Sequence, residues 1–533
     1  MLKKILNIKS HTITGAAIVI GASYFVSKII ALFRDRIFAH YFGAGDVMDA
    51  YYAAFKIPDL VFNLLIVGAL SAGFIPIFIE LLEKDEKEAW KVTNIVLNIL
   101  GFFLIISCTL LIFFTPQILQ FLVPGFSQDK FELTVLLSRI MFVSPILLGI
   151  SSIVSGVLQS FKAFFIYSLS PIMYNLGIII GAIFLVPIFG YQGLAYGVVI
   201  GALFHLLIQV PSFFEQGFKY QFVFDFKNKY FKKIMLLMLP RTLGMATMQI
   251  NLLAITIIAS TLQSGSLAIF NFADNLQSVP IGIIGMSFAI AIFPTLSQMA
   301  SNNDYKKMSE QIERTIRQIL FLIIPITIII LLLKAQIVRL VLGTGAFNWD
   351  NTRATFNALS IFAISLFAQT LIPLLSRSFY ALKDTITPLV TGIIATIINI
   401  IMAIYLSHKY AILGLVSAYS FSMIFQFFLM WLLLRNKLGN INERKIFVSI
   451  IKIFIAGILM ALVTQLLKEL ISIFVNMEKF WGILLQTTIS AIIGLLVYGF
   501  ICQQLKLKEM SLFAESFKKR WLKLRNVQTD ITQ

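Results

Sequence analysis

The sequence predicts an all-α integral membrane protein of 14 transmembrane helices: two six-helix lobes related by a pseudo-two-fold axis along the membrane normal, plus two C-terminal helices. Three observations carry this. The 533 residues are 59% hydrophobic and 13% charged, with a mean hydropathy of +0.90, whereas soluble domains carry about 25% charged residues. Uncharged windows recur at spanning length. Landmarks of the first half return about 217 residues later.

The windows 92–115, 140–161, 275–303, 354–376 and 480–505 hold no charge, and 163–214 reads as two spans broken by VPIFGYQG. About 20 apolar residues cross a bilayer core. Spans are centred near residues 22, 65, 103, 147, 176, 202, 247, 283, 325, 365, 396, 422, 458 and 492. Met1 to Ser10 is basic, but the apolar stretch behind it lacks a small-residue cleavage pattern, so it reads as an uncleaved first span. With the N-terminus inside, roughly 29 of the 43 Lys and Arg fall in cytoplasmic segments. The net charge of +18 is therefore mostly a topology signal and no sign of nucleic-acid binding, and both termini are expected in the cytoplasm.

The repeat rests on paired landmarks. Phe55 precedes Gly68 by 13 residues, and Phe272 precedes Gly285 by 13. Pro76 and Pro294 close these segments, Pro171 and Pro388 close two later ones, and Gly193 pairs with Gly414. The offsets are 217, 217, 218, 217 and 221. Six spans per repeat is an even number, so both halves enter the membrane in one orientation, with a cavity expected between them. The expected divisions are residues 1–232, 233–440, a pair of helices over 441–505 and a tail over 506–533. In the tail, Met510, Phe513, Phe517, Trp521 and Leu524 recur at helical spacing beside Lys518, Lys519, Arg520, Lys523 and Arg525. This suits an amphipathic helix on an anionic leaflet, or a solvated basic tail.

Chemistry-bearing motifs are few. His11, His40, His205 and His408 are scattered, Cys108 and Cys502 lie in spans, and HExxH, CxxC and P-loop patterns are absent. No catalytic or metal-ligating set and no cofactor is nominated. The informative residues are charges at membrane depth, which are costly there. Lys56 and Asp59 stand three apart and can neutralise each other; Arg139 and Lys452 lie near span ends and can snorkel. Asp35 can pair with Arg34 or Arg36. Lys28 lies well inside span one and Arg241 inside span seven, neither with a carboxylate within a helical turn. Ser27 and Arg34 share a face, as do Thr242 and Gln249, and Asn63, Asn175, Asn251, Asn271 and Asn275 add amides. Such a donor-rich, cationic lining suits an anion such as pyrophosphate; purely structural pairing is the other reading. A central Asp or Glu is missing from spans one, seven, eleven and twelve, which argues against cation antiport.

FRD at 33–35, FGAGDVMDAYYAAFKIP at 42–58, GALSAGFIP at 68–76, PGF at 124–126 and FYALKDTITP at 379–388 resemble the MurJ/MviN lipid II flippases of the multidrug/oligosaccharidyl-lipid/polysaccharide exporter superfamily. The resemblance covers about residues 12 to 505. It implies a non-enzymatic activity in the bacterial inner membrane. Lipid II, the undecaprenyl-pyrophosphate-linked peptidoglycan precursor, would be moved to the outer leaflet by alternating access. A cationic central cavity would hold its headgroup and the last two helices would form a groove for the prenyl tail, with cell-wall synthesis proteins as possible partners. The family pattern implies substrate contacts at Ser27, Lys28, Arg34 and Asp35. It departs at Phe62, Val67 and Asn275, where the family carries two arginines and a glutamate, and Arg241 is the candidate replacement. Asn399 matches an amide of the sodium site of some members, but no acid accompanies it, so the membrane potential is the expected drive. Alternatives are a flippase for another polyprenyl-pyrophosphate glycan, a drug/cation antiporter, which would have 12 spans and a buried carboxylate, and an inactive membrane scaffold.

Overall fold

The computed structural model describes residues 13–67 and 73–511, with side chains described outside 13–20, 67, 239–241 and 243. Every regular element among the described residues is helical, the form that satisfies its own backbone hydrogen bonds in lipid. The first stretch holds α1 (Ile13–Phe42), α2 (Asp46–Ala54), α3 (Lys56–Phe62), a π-helical segment (Asn63–Val67) and α4 (Ile75–Lys84). Then come α5 (Glu86–Leu122), α6 (Gln128–Met141), α7 (Val143–Ser160), α8 (Phe164–Ile180), a π-helical segment (Gly181–Leu185), α9 (Val186–Phe189), α10 (Gln192–Leu207) and α11 (Val210–Glu215). After a linker follow α12 (Lys229–Ser260), α13 (Ser266–Pro280), a π-helical segment (Ile281–Met286), α14 (Ser287–Ser301), α15 (Tyr305–Leu332) and α16 (Lys334–Val341). The chain continues through α17 (Trp349–Ala381), α18 (Ile386–Leu438), α19 (Glu443–Phe474) and α20 (Phe480–Gln504).

Among the described residues, ten helices are long and apolar enough to cross a membrane, with contiguous pieces such as α6 and α7 taken together. Gly244–Ser260 within α12 is a shorter apolar helix. α18 runs 53 residues, but Ala411 at φ 49° and ψ −131° marks the meeting of two helices. By contacts the chain forms two compact units. One comprises Met1–Phe272, Val341–Asn351 and Thr396–Leu415; the other comprises Ala273–Leu340, Thr352–Ala395 and Val416–Gln533.

Local chemistry recurs at the repeat spacing. Asp85 caps α5 by accepting from the N–H groups of Lys87 at 3.0 Å and Glu88 at 3.2 Å. Asp304, 219 residues later, caps α15 by accepting from Lys307 N–H at 3.2 Å. The π-helical segments Asn63–Val67 and Ile281–Met286 also correspond, each preceding one of the paired prolines. Lys162 and Lys383 take φ of 61° and 59°, and the residue after each donates its N–H five residues back, Ala163 to Leu158 and Asp384 to Phe379, both at 2.9 Å. This turn repeats at 221 residues, like Gly193 and Gly414. Both glycines lack the Cβ that would strike the backbone eight residues earlier, at Leu185 and Leu406. One landmark needs correction. Pro171 lies inside α8, whereas Pro388 lies in the first turn of α18, so their spacing of 217 does not mark equivalent positions.

In the first unit, Gly177 of α8 and Gly181 at the start of the π-helical segment behind it face Gly201 and Gly197 of α10, where any Cβ would meet the opposing backbone. Small residues let helix backbones touch in lipid, and this contact fixes α8 and its Asn175. The linker is also held. Asn94 of α5 donates to Lys219 O at 3.0 Å, and Asn98 donates to Gln221 O at 2.9 Å and Val223 O at 3.1 Å. That explains two buried asparagines on a membrane helix. In the second unit, Tyr498 Oη of α20 donates to Phe321 O of α15 at 2.8 Å, and Gln486 Nε2 donates to Lys468 O of α19 at 2.6 Å.

Candidate functional site

The site grows from α1. Its second half passes from lysine to arginine to a buried acid, because each polar side chain must find a partner or an aqueous space. Lys28 is half-buried, with Nζ 5.8 Å from the centre of the Tyr24 ring, and Ser27 beside it is half-buried too. Arg34 lies about 9 Å further along the axis, six residues at 1.5 Å rise. Its Nη1 donates to Asn175 Oδ1 of α8 at 3.0 Å, and its Nε and Nη2 donate to Asp35 Oδ1 at 3.1 and 2.8 Å. Asp35 is only 1% exposed. Asn175 Nδ2 in turn donates to Pro171 O at 2.9 Å. Three of the five guanidinium N–H groups are thus engaged; the ion pair fixes the guanidinium on α1, and its hydrogen bond to Asn175 ties α1 to α8.

Aromatic residues wall this pair. Arg34 Cζ stands 5.7 Å from the Phe38 ring centre, and Phe38 meets Tyr51 of α2 edge to face at 5.0 Å. Asp59 of α3 is exposed yet within electrostatic reach of Lys56, Tyr51 and Tyr174. Lys56 and Asp59 share a helix face as their spacing requires. Asn63 Nδ2 donates to Asp59 O at 2.8 Å, which keeps its amide on the same face.

The other sequence candidates are distributed. Arg241 falls on α12 in the first unit, but its side chain lies outside the described residues. Asn275 is half-buried on α13 in the second unit. Arg139 turns its Nε to Ile112 O at 3.2 Å. Asn399 Nδ2 donates to Asn251 Oδ1 at 2.6 Å, a buried amide pair inside the first unit. Among the described residues no cluster of three or more His, Cys, Asp or Glu could hold a metal. Most of GALSAG and most of the tail lie outside the described residues, the tail beyond Ser511. A largely apolar cavity of about 350 Å³ in the second unit is lined by Ile316, Leu320, Leu371, Phe427, Trp431 and Ile446, so α19 contributes to an apolar recess.

Sequence reasoning missed a charge cluster in the first unit, in which Lys130 and Asp49 are buried and Asp46 is exposed. Lys130 Nζ pairs with Asp49 at 2.7 Å and Asp46 at 2.8 Å. Asp49 also accepts the N–H groups of Gly265 at 2.7 Å and Ala268 at 2.8 Å. Its signal was the pair of acids three apart in GDVMDA, read only as a family motif.

Residues 38–485 match the family profile described as "Lipid II flippase MurJ". The chain belongs to the MurJ family. A MurJ relative from Buchnera aphidicola (Schizaphis graminum), described as a probable lipid II flippase, is 30% identical over 449 residues, covering 83% of this chain and 87% of its own. One of the same description from Rickettsia prowazekii is 29% identical, covering 76% and 80%. A solved lipid II flippase MurJ in an inward closed conformation superposes with a TM-score of 0.75 at 24% identity, covering 92% of this chain and 99% of that one. An inward-facing multidrug resistance MATE transporter of the MOP superfamily gives 0.67 at 16%, covering 80% and 99%. The MurJ fold and a multi-pass membrane protein are thereby shown.

Proposed function

We propose that this chain moves lipid II, a polyprenyl-pyrophosphate-linked peptidoglycan precursor, from the inner to the outer leaflet of the bacterial cytoplasmic membrane by alternating access. The family match over residues 38–485 carries the reading. In its favour too, α1 carries a half-buried lysine within an apolar run, and a cation in such a run is retained for use. Lys28, Ser27, Asn63 and Arg241 are the proposed contacts to the pyrophosphate and sugar headgroup. Arg34 and Asp35 hold α1 in register and present the remaining guanidinium N–H groups to the substrate.

The topology belongs to the same proposal. The ten spanning helices, α1, the α3–α4 segment, α12 and the division of α18 at Ala411 make 14 crossings. Six crossings precede the linker, six follow it, and α19 and α20 are the last pair. Both termini lie in the cytoplasm. Expression in cells depleted of their own lipid II flippase tests the reading. Growth and normal shape are expected. Rescue only of cells lacking a flippase for a different polyprenyl-pyrophosphate glycan would move the substrate assignment to that glycan.

A further inference from the structure

A second cationic site lies in the second unit, where the beginning of α19, the middle of α15 and the chain after α20 enclose a cavity of about 310 Å³. Arg317, Arg444, Lys445, Lys452, Lys506 and Lys508 line it. One carboxylate lies among them: Glu509, 3% exposed, 2.8 Å from Arg317 Nε and accepting from Ser449 Oγ at 3.3 Å. Arg317 is also within 3.0 Å of Glu313. The charge of Arg317 is therefore met twice. No carboxylate among the described residues lies within ion-pair distance of Arg444, Lys445, Lys452, Lys506 or Lys508.

The cavity is built by the fold. Glu509 anchors the segment after α20 to α15 and α19, and Lys452 Nζ holds Leu505 O at 2.9 Å. Lys506 takes φ of 52° and its N–H returns to Gln503 O at 3.0 Å, so the chain turns sharply. These ties gather lysines from two distant stretches. Like charges brought together repel, and the arrangement is favourable when an anion fills it.

We propose that this cavity binds the phosphate of an anionic phospholipid from the surrounding leaflet. The carrier follows from the adjoining surface. On α19, Val448 lines the cavity while Ile451 and Ile455, next along the helix, are 45% exposed on a spanning segment, a path for acyl chains. Basic pockets between helices at the cytoplasmic side suit acidic lipid headgroups, and α19 starts at the end that the charge asymmetry assigns to the cytoplasm. The site shares no residue with α1 and stands or falls apart from the lipid II reading.

The test uses the purified full-length chain in uncharged detergent, titrated with phosphatidylglycerol, phosphatidylcholine or inorganic phosphate, and read by native mass spectrometry and thermal unfolding. Phosphatidylglycerol should bind and raise the unfolding temperature, and phosphatidylcholine should not. Lys445→Gln/Lys506→Gln/Lys508→Gln should weaken phosphatidylglycerol binding roughly tenfold or more, since each such charge contributes measurably to lipid binding. Lys479→Gln, at the opposite end of the helix pair, should leave it unchanged. If the triple variant unfolds without lipid, Arg444→Gln/Lys445→Gln at the exposed start of α19 replaces it, with several-fold weakening expected. Equal binding by parent and cavity variant overturns the site. Stabilisation by inorganic phosphate without phosphatidylglycerol binding overturns the lipid assignment.

Discussion

Asp49 accepts the backbone N–H of Ala268 at 2.8 Å, so a carboxylate on α2 caps the first turn of α13, 219 residues away. The same carboxyl group holds the N–H of Gly265 and the ammonium of Lys130. It serves as helix cap and buried counter-ion at once. Gly265 takes φ of 86° there, and a Cβ would strike Ala44 O, so the close approach depends on glycine.

Asp49→Ala should destabilise the folded chain by about 3 kcal/mol, the lower end for losing one member of a buried pair, because Asp46 still neutralises Lys130. Asp49→Asn should cost less, since its amide oxygen still caps α13. Thermal unfolding of purified variants in one detergent gives the ranking. Equal stability of Asp49→Ala and parent would remove the capping role.

Lys28→Ala should lose rescue of flippase-depleted cells while reaching the membrane at normal abundance. A charge-assisted hydrogen bond to an anion contributes about 1.5–3 kcal/mol, and about 1.4 kcal/mol is tenfold in affinity. Lys28→Arg should be tolerated, because it keeps the cation. Full rescue by Lys28→Ala at parental abundance would exclude Lys28 from the headgroup site.

Asp35→Ala and Asn175→Ala should separate in magnitude. The first leaves a half-buried guanidinium without its carboxylate and should cost about 3 kcal/mol or more. The second removes one hydrogen bond to a charged group and should cost about 1.5 kcal/mol. A double-mutant cycle with Arg34→Met, read by thermal unfolding, checks the coupling. Additive effects would mean that Arg34 and Asp35 do not act as a pair.

Asp384, in the loop before α18, supplies a pH test. Partial burial acts to raise its pKa. The Lys437 ammonium, the Thr387 hydroxyl and the Thr387 N–H outweigh it and hold the carboxyl down to about 2. A depressed pKa means stability that is present above the ordinary carboxylate range and lost as pH falls through the folded value. The parent should therefore unfold at a higher temperature than Asp384→Asn at pH 6, and the gap should close between about pH 4 and 2. A gap that stays constant to pH 2 would show that the carboxylate charge contributes nothing.

The sequence by itself determined the membrane class and most of the spans. These are properties of local composition: a run of apolar residues long enough for a bilayer is a helix wherever it folds. It also marked Lys28 and Arg34, because charge at membrane depth stands out in any such run. Only the tertiary structure decided which partner each polar group takes. Arg34 meets Asn175, 141 residues away; Asp49 meets Gly265; and lysines near 445 and 506 meet around Arg317. It also moved the late repeat landmark from Pro388 to the turn at Lys383, since a proline fits both a first helical turn and a helix interior with freed carbonyls, while the turn geometry fits one place. Hydropathy is additive along the chain, whereas a hydrogen bond depends on a separation of about 3 Å that no periodicity specifies.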